Sequence, residues 1–176
     1  MNHLGNQMRP LFFIKAMLFS LLLNACSQAQ TSDDVANSDS NCGLSAEVED
    51  LVRLINEARS DTQYCGSKKL KPSAPLILNC SLQRSAQGHA NTLATKDRLS
   101  HVGASNSSLG TRVTASGYKW SAVSENIAKG HSTASSLLEN WRASKKHCKN
   151  LFRAKYQEIG VARSGQYWVA VFAKPQ

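Results

Sequence analysis

Apolar side chains recur at three- and four-residue spacing in four stretches of the chain, which predicts four amphipathic helices. The predicted helices span residues 45–59, 79–96, 108–116 and 133–144. Either Asn79 or Ser81 is suited to cap the second helix, and Gly117 to end the third. Small residues on the apolar face of the second helix permit close packing against a neighbour.

Three later stretches alternate apolar and polar residues and therefore predict strands. They span residues 122–128, 158–163 and 166–173, and the last two form a predicted hairpin about Ser164-Gly165. The helices and strands are interleaved without regular βαβ spacing. The expected fold class is therefore α+β, with a small mixed sheet covered by helices.

The first 25 residues differ from the rest of the chain. Arg9 and Lys15 flank or interrupt an apolar run from Leu11 to Leu23, which is too short to span a bilayer as a helix. A basic stretch followed by a short apolar run is typical of a secretory signal peptide. We expect residues 1–25 to be removed during export.

The end of this segment, Leu23-Asn24-Ala25-Cys26, resembles a bacterial lipobox, with Asn24 a slightly unusual member of the pattern. On this interpretation Cys26 is lipidated and anchors the protein to the membrane of the cell envelope. Residues 26–41 are polar and form a predicted flexible tether, and residues 42–176 form the folded domain. The alternative is ordinary cleavage near Ala25 or Ala29, which would leave a soluble periplasmic or extracellular protein.

The cysteine count and the net charge indicate disulfide bonding and the kind of partner to expect. If Cys26 is an anchor, four cysteines remain in an exported chain, which argues for two disulfides with three possible pairings. The formal charge of +9 falls to +7 once Arg9 and Lys15 are removed. A basic exported protein is attracted to anionic lipid or envelope polymers. No helix-turn-helix or RNA-binding signature is present, and we expect no nucleic-acid partner.

The candidate chemistry rests on scattered side chains, because the common local catalytic motifs are absent. His101, Glu125 and His147 each lie near the end of a predicted element. Two imidazoles and a carboxylate that converged would hold a divalent metal through His101 and His147, with Glu125 orienting or deprotonating a bound water. The alternative is a structural role for each of the three. His101 would bond the last carbonyls of a helix, Glu125 would bond loop amides, and His147 would pack beside a disulfide. His89, on the apolar face of the second helix, is expected to be a satisfied core histidine.

From about Leu51 to Phe172 the chain resembles the CAP superfamily, named for cysteine-rich secretory proteins, antigen five and pathogenesis-related proteins. The bacterial secreted branch, with its SCP domain, is the most similar. The motifs are Leu82-x-x-Ser85-Ala86-x-x-His89-Ala90, Ser100-His101, Arg112 through Gly117-Tyr118, Ser124-Glu125-Asn126-Ile127-Ala128 with Gly130, Trp141-x-x-Ser144-x-x-His147-Cys148-x-Asn150, Ile159-Gly160-Val161-Ala162 and Tyr167-Trp168-Val169 with Phe172. Each motif is weak alone, but their order is specific.

The resemblance implies an α-β-α sandwich with a groove where two histidines and two acids meet, sometimes around zinc or another divalent ion. His101, Glu125 and His147 match three of those positions. The fourth falls on Ser105 or Asn106, which carry no carboxylate, and a site with one acid holds a dication less well. The resemblance also implies the pairing Cys65 with Cys148, which leaves Cys42 with Cys80.

Three functions remain open at this point. Resemblance favours a non-enzymatic lipoprotein that binds a lipid or other hydrophobic small molecule, an envelope component or a protein partner through the groove or the surface. The alternative is a divalent-metal-dependent hydrolase, possibly a peptidase, that uses His101, Glu125 and His147. A secreted toxin-like effector is the third. The absent acid weighs against the hydrolase. The cations near His147 could bind anionic polymers or lipid headgroups. The alternative is that they form a solvated surface with no partner.

Overall fold

Helices and short strands alternate along residues 42–176, the part of the chain that this computed structural model describes. In chain order the elements are α1 Ala46–Arg59, β1 Gln63–Cys65, β2 Lys68–Leu70, β3 Ile77–Leu78, α2 Cys80–Lys96, α3 Leu109–Ala115, β4 Trp120–Lys129, α4 Ala134–Ala143, α5 Lys145–Phe152, β5 Glu158–Ser164 and β6 Tyr167–Pro175. The predicted signal peptide, Cys26 and the tether lie outside the described residues. No helix within 42–176 is both long and apolar enough to cross a membrane.

The four helices predicted from periodicity are present, and α2, α3 and α4 begin with the expected capping chemistry. The Asn79 side chain accepts hydrogen bonds from the backbone N–H groups of Ser81 and Leu82 at the start of α2. Ser108 and Thr133 cap α3 and α4 in the same way. These local interactions explain why the helix boundaries could be read from the sequence.

Helix α5, the β1–β2 hairpin and the two-residue strand β3 were not predicted. The segment that follows α4 forms a fifth helix, α5, whose N-cap is Ser144 and whose apolar side is only Cys148, Leu151 and Phe152. Strands β1 and β2 form a small hairpin in which Cys65 pairs with Lys68. Helix α5 and the hairpin are both short and rich in lysine, so neither carries an apolar period long enough to recognise.

The main sheet is mixed, as predicted. Its four strands lie in the order β3-β5-β6-β4, and only the pair β3 and β5 is parallel. Strands β5 and β6 form the predicted hairpin, with Ser164 opposite Tyr167. The long strand β4 pairs with β6 along its length, which places Glu125 opposite Val171. Glu125 therefore projects from a strand that is held rigidly in the sheet.

Each face of the sheet is covered by helices, which makes an α-β-α sandwich. One apolar cluster joins α1, α4 and α5 to residues of β5 and β6 such as Ile159 and Trp168. The other joins α2 and α3 to the alternate residues of the same strands, such as Val169 and Val171. The alternation follows from the two-residue period of a strand. The fold class and the sandwich expected from the resemblance are both present.

Gly160 sets the distance between β5 and α2. A methyl group at this position would lie 2.5 Å from the carbonyl oxygen of Leu82 and closer still to the adjoining backbone of Leu82 and Gln83. Only a residue without a side chain allows the helix backbone to approach the strand this closely. This contact fixes the first turns of α2 against the sheet.

Two disulfides join parts of the fold that are distant in sequence. Cys42 is bonded to Cys80, which links the start of the domain to the first turn of α2. Cys65 is bonded to Cys148, which links the β1–β2 hairpin to α5. These are the two pairings that the resemblance implies.

Candidate functional site

Glu125 is the centre of the candidate site, and both of its carboxylate oxygens have partners. Its side chain is 2% exposed. One oxygen accepts a hydrogen bond from Nδ1 of His101 at 2.8 Å, and the other accepts one from Arg112 at 2.7 Å. Nε2 of His89 lies 3.7 Å from the first oxygen. Charge-assisted bonds of this kind compensate the burial of a carboxylate.

Arg112, on α3, also fixes the loop that carries His101. Its guanidinium donates to the backbone carbonyls of His101 at 3.1 Å and Ser107 at 3.0 Å. Gly103 in the same loop faces the Arg112 side chain, since a methyl group there would lie 3.0 Å from its Cδ. The arginine therefore holds both the acid and the loop in one arrangement, and the role of Arg112 was not predicted.

The loop itself differs from the family pattern at the expected second acid. Ser105 and Asn106 lie in a single 3₁₀ turn, Ala104–Asn106, and both have a positive φ, at 52° and 58°. Neither side chain has a carboxylate to offer to the groove. The imidazole of His101, at 60% side-chain exposure, faces solvent beside this turn.

His147 lies in α5, and its backbone carbonyl is bonded by the side chain of Asn126, the residue that follows Glu125 on β4. Burial, together with the neighbouring charges of His101 and Lys146, lowers the pKa of its imidazole. Nδ1 of His147 is buried and has no hydrogen-bond partner among the described residues.

Two asparagines fasten α5 to β4. The side chain of Asn126 donates to the backbone carbonyl of His147 at 3.1 Å. The side chain of Asn150 donates to the Asn126 side-chain oxygen at 2.9 Å and to the backbone carbonyl of Glu125 at 3.3 Å. The histidine is thus positioned by its backbone through this amide network. Both asparagines occur in the family motifs, but nothing in their spacing predicted that they would meet.

The donors do not fit a metal site in the arrangement described. Nδ1 of His101 donates to Glu125, which leaves only Nε2 of that ring as a ligand atom, and each oxygen of the carboxylate already accepts one charge-assisted hydrogen bond. Within residues 42–176, no group of three or more His, Cys, Asp or Glu side chains is arranged to hold a metal ion. Ser105 and Asn106 do not supply the acid that would complete the set.

His89 is fully buried, as expected for a core histidine, but only one of its ring nitrogens is satisfied. Nε2 lies 2.9 Å from the carbonyl oxygen of Ser100, whereas Nδ1 has no partner in the described part of the chain. Burial lowers the pKa of this imidazole. The prediction of a satisfied histidine was therefore wrong for Nδ1.

Comparison with known proteins agrees with this architecture. Residues 52–172 match the pattern of the cysteine-rich secretory protein (CAP) family. The protein YkwD of Bacillus subtilis (strain 168) is 27% identical over 153 residues, which cover 85% of this chain and 56% of that protein. The chain therefore spans little more than half the length of this relative.

Solved structures share the fold at lower identity. An extracellular SCP-domain protein of Bacillus anthracis superposes with a TM-score of 0.65 at 23% identity, covering 73% of this chain and 40% of that one. An outer surface protein of Borrelia burgdorferi gives 0.62 at 18% identity, covering 74% and 93%. Because the family match extends over most of the folded domain, this chain belongs to the cysteine-rich secretory protein family.

Proposed function

We propose that this chain is an exported, non-enzymatic binding protein of the bacterial cell envelope, anchored through a lipid on Cys26. It holds an anionic envelope component, a lipid headgroup or a polymer, against one basic surface. The signal-peptide and lipobox patterns support export and anchoring. The extracellular or surface location of its structural neighbours supports the same compartment. The basic surface is the observation that carries the binding role.

The basic surface is formed by the β1–β2 hairpin, by α5 and by the residues that follow each of them. The Cys65–Cys148 disulfide joins the hairpin to the helix. Gly66, at the turn, packs beside Lys145, since a methyl group on it would lie 3.4 Å from Cδ of that lysine. The cations of this surface are Lys68, Lys69, Lys71, Lys145, Lys146, Lys149, Arg153 and Lys155.

The charge of this surface is not balanced by acids. Residues 62–96 and 140–157 contain no Asp or Glu. Among the described residues, none of the eight cations forms a salt bridge. Arg53 of α1, in contrast, bonds both Asp50 and Glu57. A basic surface whose cations form no salt bridge within the described residues presents its field to an anionic target.

The magnitudes are sufficient for binding. Each lysine close to an anionic membrane contributes about 1 kcal/mol, so half of the eight would give millimolar affinity or better without any other contact. If residues 26–41 form the tether that the sequence predicts, its root-mean-square length would be about 20 Å, which would keep the domain near the membrane that anchors it. The anchor thereby raises the effective concentration of anionic lipid at the basic surface.

Catalysis is disfavoured by the state of Glu125. A general base must reach a substrate or water, but the Glu125 side chain is 2% exposed and each of its oxygens already accepts a hydrogen bond, one from His101 and one from Arg112. The same bonds tie the strand to the His101 loop, which is a structural role. The geometry thus supports binding better than metal-dependent hydrolysis.

The test uses the mature chain with both disulfides formed. Binding to phosphatidylglycerol-containing vesicles, to phosphatidylcholine vesicles and to soluble polyphosphate is measured by co-sedimentation and by calorimetry. We expect binding to the anionic vesicles and none to the zwitterionic ones. If polyphosphate displaces the protein from the anionic vesicles, both probes bind the same surface through their negative charge. If the protein binds polyphosphate but not the vesicles, the partner is an anionic polymer and not a lipid. Absence of binding to every anionic probe would overturn the proposal.

A matched pair of double variants locates the surface. Lys145→Glu with Lys149→Glu reverses two charges on the basic surface. Lys96→Glu with Arg98→Glu makes the same change in net charge at the end of α2, on the opposite face of the sheet. Removing two lysine contacts of about 1 kcal/mol each predicts at least a ten-fold loss for the first pair. Equal losses in both pairs would show that net charge, and not this surface, controls binding.

A further inference from the structure

A groove of about 400 Å³ lies between α2 and α3, apart from the basic surface. Its residues are Arg84, Ser85, Gly88 and His89 of α2, with Arg112, Ala115 and Ser116 at α3 and its end. This volume is within the range of small-molecule sites in proteins. Gly88 leaves the groove open, since an added methyl group would meet no atom within 4 Å.

Three side chains that line this groove each have one buried polar atom without a partner in the described part of the chain. The atoms are the hydroxyl oxygen of Ser85, Nδ1 of His89 and Nε of Arg112. Ser85 is 6% exposed, His89 is 0% exposed and the Arg112 side chain is 10% exposed. A buried polar group without a hydrogen bond is destabilising, and such groups need an explanation. Three of them along one groove indicate a missing partner.

The hydrogen-bond capacities of the three atoms are fixed by their other bonds. A backbone carbonyl only accepts, so Nε2 of His89 carries the proton that it shares with Ser100. Nδ1 of the neutral ring is therefore an acceptor. Nε of Arg112 is a donor, while the other nitrogens of that guanidinium serve Glu125 and the His101 loop. The Ser85 hydroxyl both donates and accepts.

We propose that the groove between α2 and α3 is a binding site for a small hydroxylated ligand, a sugar or polyol. Neighbouring hydroxyl groups supply a donor for His89, an acceptor for Arg112 and either for Ser85. A carboxylate or phosphate anion would place only acceptors against the lone pair of His89. The apolar wall of Gly88 and Ala115 faces the C–H surface of such a ligand. This site is separate from the basic surface and does not depend on the function proposed above.

The proposal is tested by the ¹⁵N resonances of the His89 ring in the mature, disulfide-bonded protein. We expect the free protein to show the neutral form protonated at Nε2. D-glucose, N-acetyl-D-glucosamine and glycerol are then titrated, with sodium acetate as the probe that only accepts. At least one hydroxylated probe should shift the Nδ1 resonance saturably, and acetate should not. No shift with any hydroxylated probe, or a saturable shift with acetate alone, would overturn the proposal.

Two variants tie the signal to the groove. Gly88→Leu fills the groove and should abolish the shift, and an unchanged shift in this variant would contradict the site. Ser85→Ala keeps the groove open but removes one hydroxyl, and should weaken binding about five-fold. Thr95→Ala, an exposed change farther along the same helix, is the matched control and should bind like the parent. Equal affinities of the Ser85 and Thr95 variants would also overturn the proposal.

Discussion

The contact between Gly160 and α2 gives a sharp prediction for stability. In Gly160→Ala, the new methyl group would lie 2.5 Å from the Leu82 carbonyl oxygen, whereas ordinary contact begins at 3.4 Å. Strand and helix must therefore separate by about 1 Å, because the contacting atoms belong to the backbone and cannot move aside as a flexible side chain can. A gap of that size removes roughly a quarter to a half of the dispersion energy of the atoms that face it.

The expected loss in the free energy of unfolding is about 3 to 4 kcal/mol, at the upper end of what overpacked cores show. A helical glycine of α2 provides the control. In Gly88→Ala the new methyl group meets no atom within 4 Å, and the better helix propensity should stabilise the protein by about 0.5 to 1 kcal/mol. The same chemical change is thus predicted to have opposite signs at two positions.

The assay is urea-induced unfolding at neutral pH with both disulfides intact, followed by far-ultraviolet circular dichroism. Midpoints and slopes are compared with those of the parent protein. The midpoint should fall in Gly160→Ala and rise in Gly88→Ala, with similar slopes. A Gly160→Ala protein within about 1 kcal/mol of the parent would show that the close approach of β5 and α2 is not rigid, and would refute this reasoning.

Three further predictions concern the rest of the fold. Arg59→Met removes the donor from three carbonyls that now accept from Arg59, two of them in buried bonds, and should lower the free energy of unfolding by about 3 kcal/mol in denaturant titrations. Replacing Cys65 and Cys148 by alanine opens a loop spanning 83 residues, for which chain entropy predicts a loss of about 4.5 kcal/mol by the same assay. A loss under about 1 kcal/mol would contradict that account. Burial lowers the pKa of His89 and His147 from 6.5, so the unfolded chain binds more protons and stability should fall as pH falls below about 7. His147→Gln should reduce this pH dependence of the urea midpoint, and an unchanged dependence would contradict it.

The sequence predicted those parts of the fold that depend on local periodicity. Helix α2 and the β5–β6 hairpin each carry a long apolar pattern with capping or turn residues at the ends. Helix α5 and the β1–β2 hairpin do not, because a disulfide and buried contacts with distant residues hold them in place. Two-residue strand β3 exists only through its pairing with β5. Tertiary packing, which spacing does not encode, decides such elements.

The candidate site shows the same division. His101, Glu125 and His147 were identified through the family motifs, and the structure pairs His101 directly with Glu125. The second partner of that carboxylate, Arg112, is thirteen residues away and on a different element. Arg112 begins one of the family motifs, but nothing in that motif says which acid its guanidinium meets. Only the fold shows which arginine meets the buried acid, and which atoms of His89 and Arg112 remain without partners in the described part of the chain.

The salt dependence of binding to anionic vesicles tests the proposed function most directly. If the basic surface carries the interaction, the affinity of the mature protein should fall at least ten-fold between about 50 and 200 mM salt, because condensed counterions compete for each lysine contact. The Lys145→Glu, Lys149→Glu protein should show weaker binding with a shallower salt dependence, while the Lys96→Glu, Arg98→Glu protein keeps the parent's slope. Binding that is independent of salt, or a slope that is the same in all three proteins, would contradict recognition of an anionic envelope component by this surface.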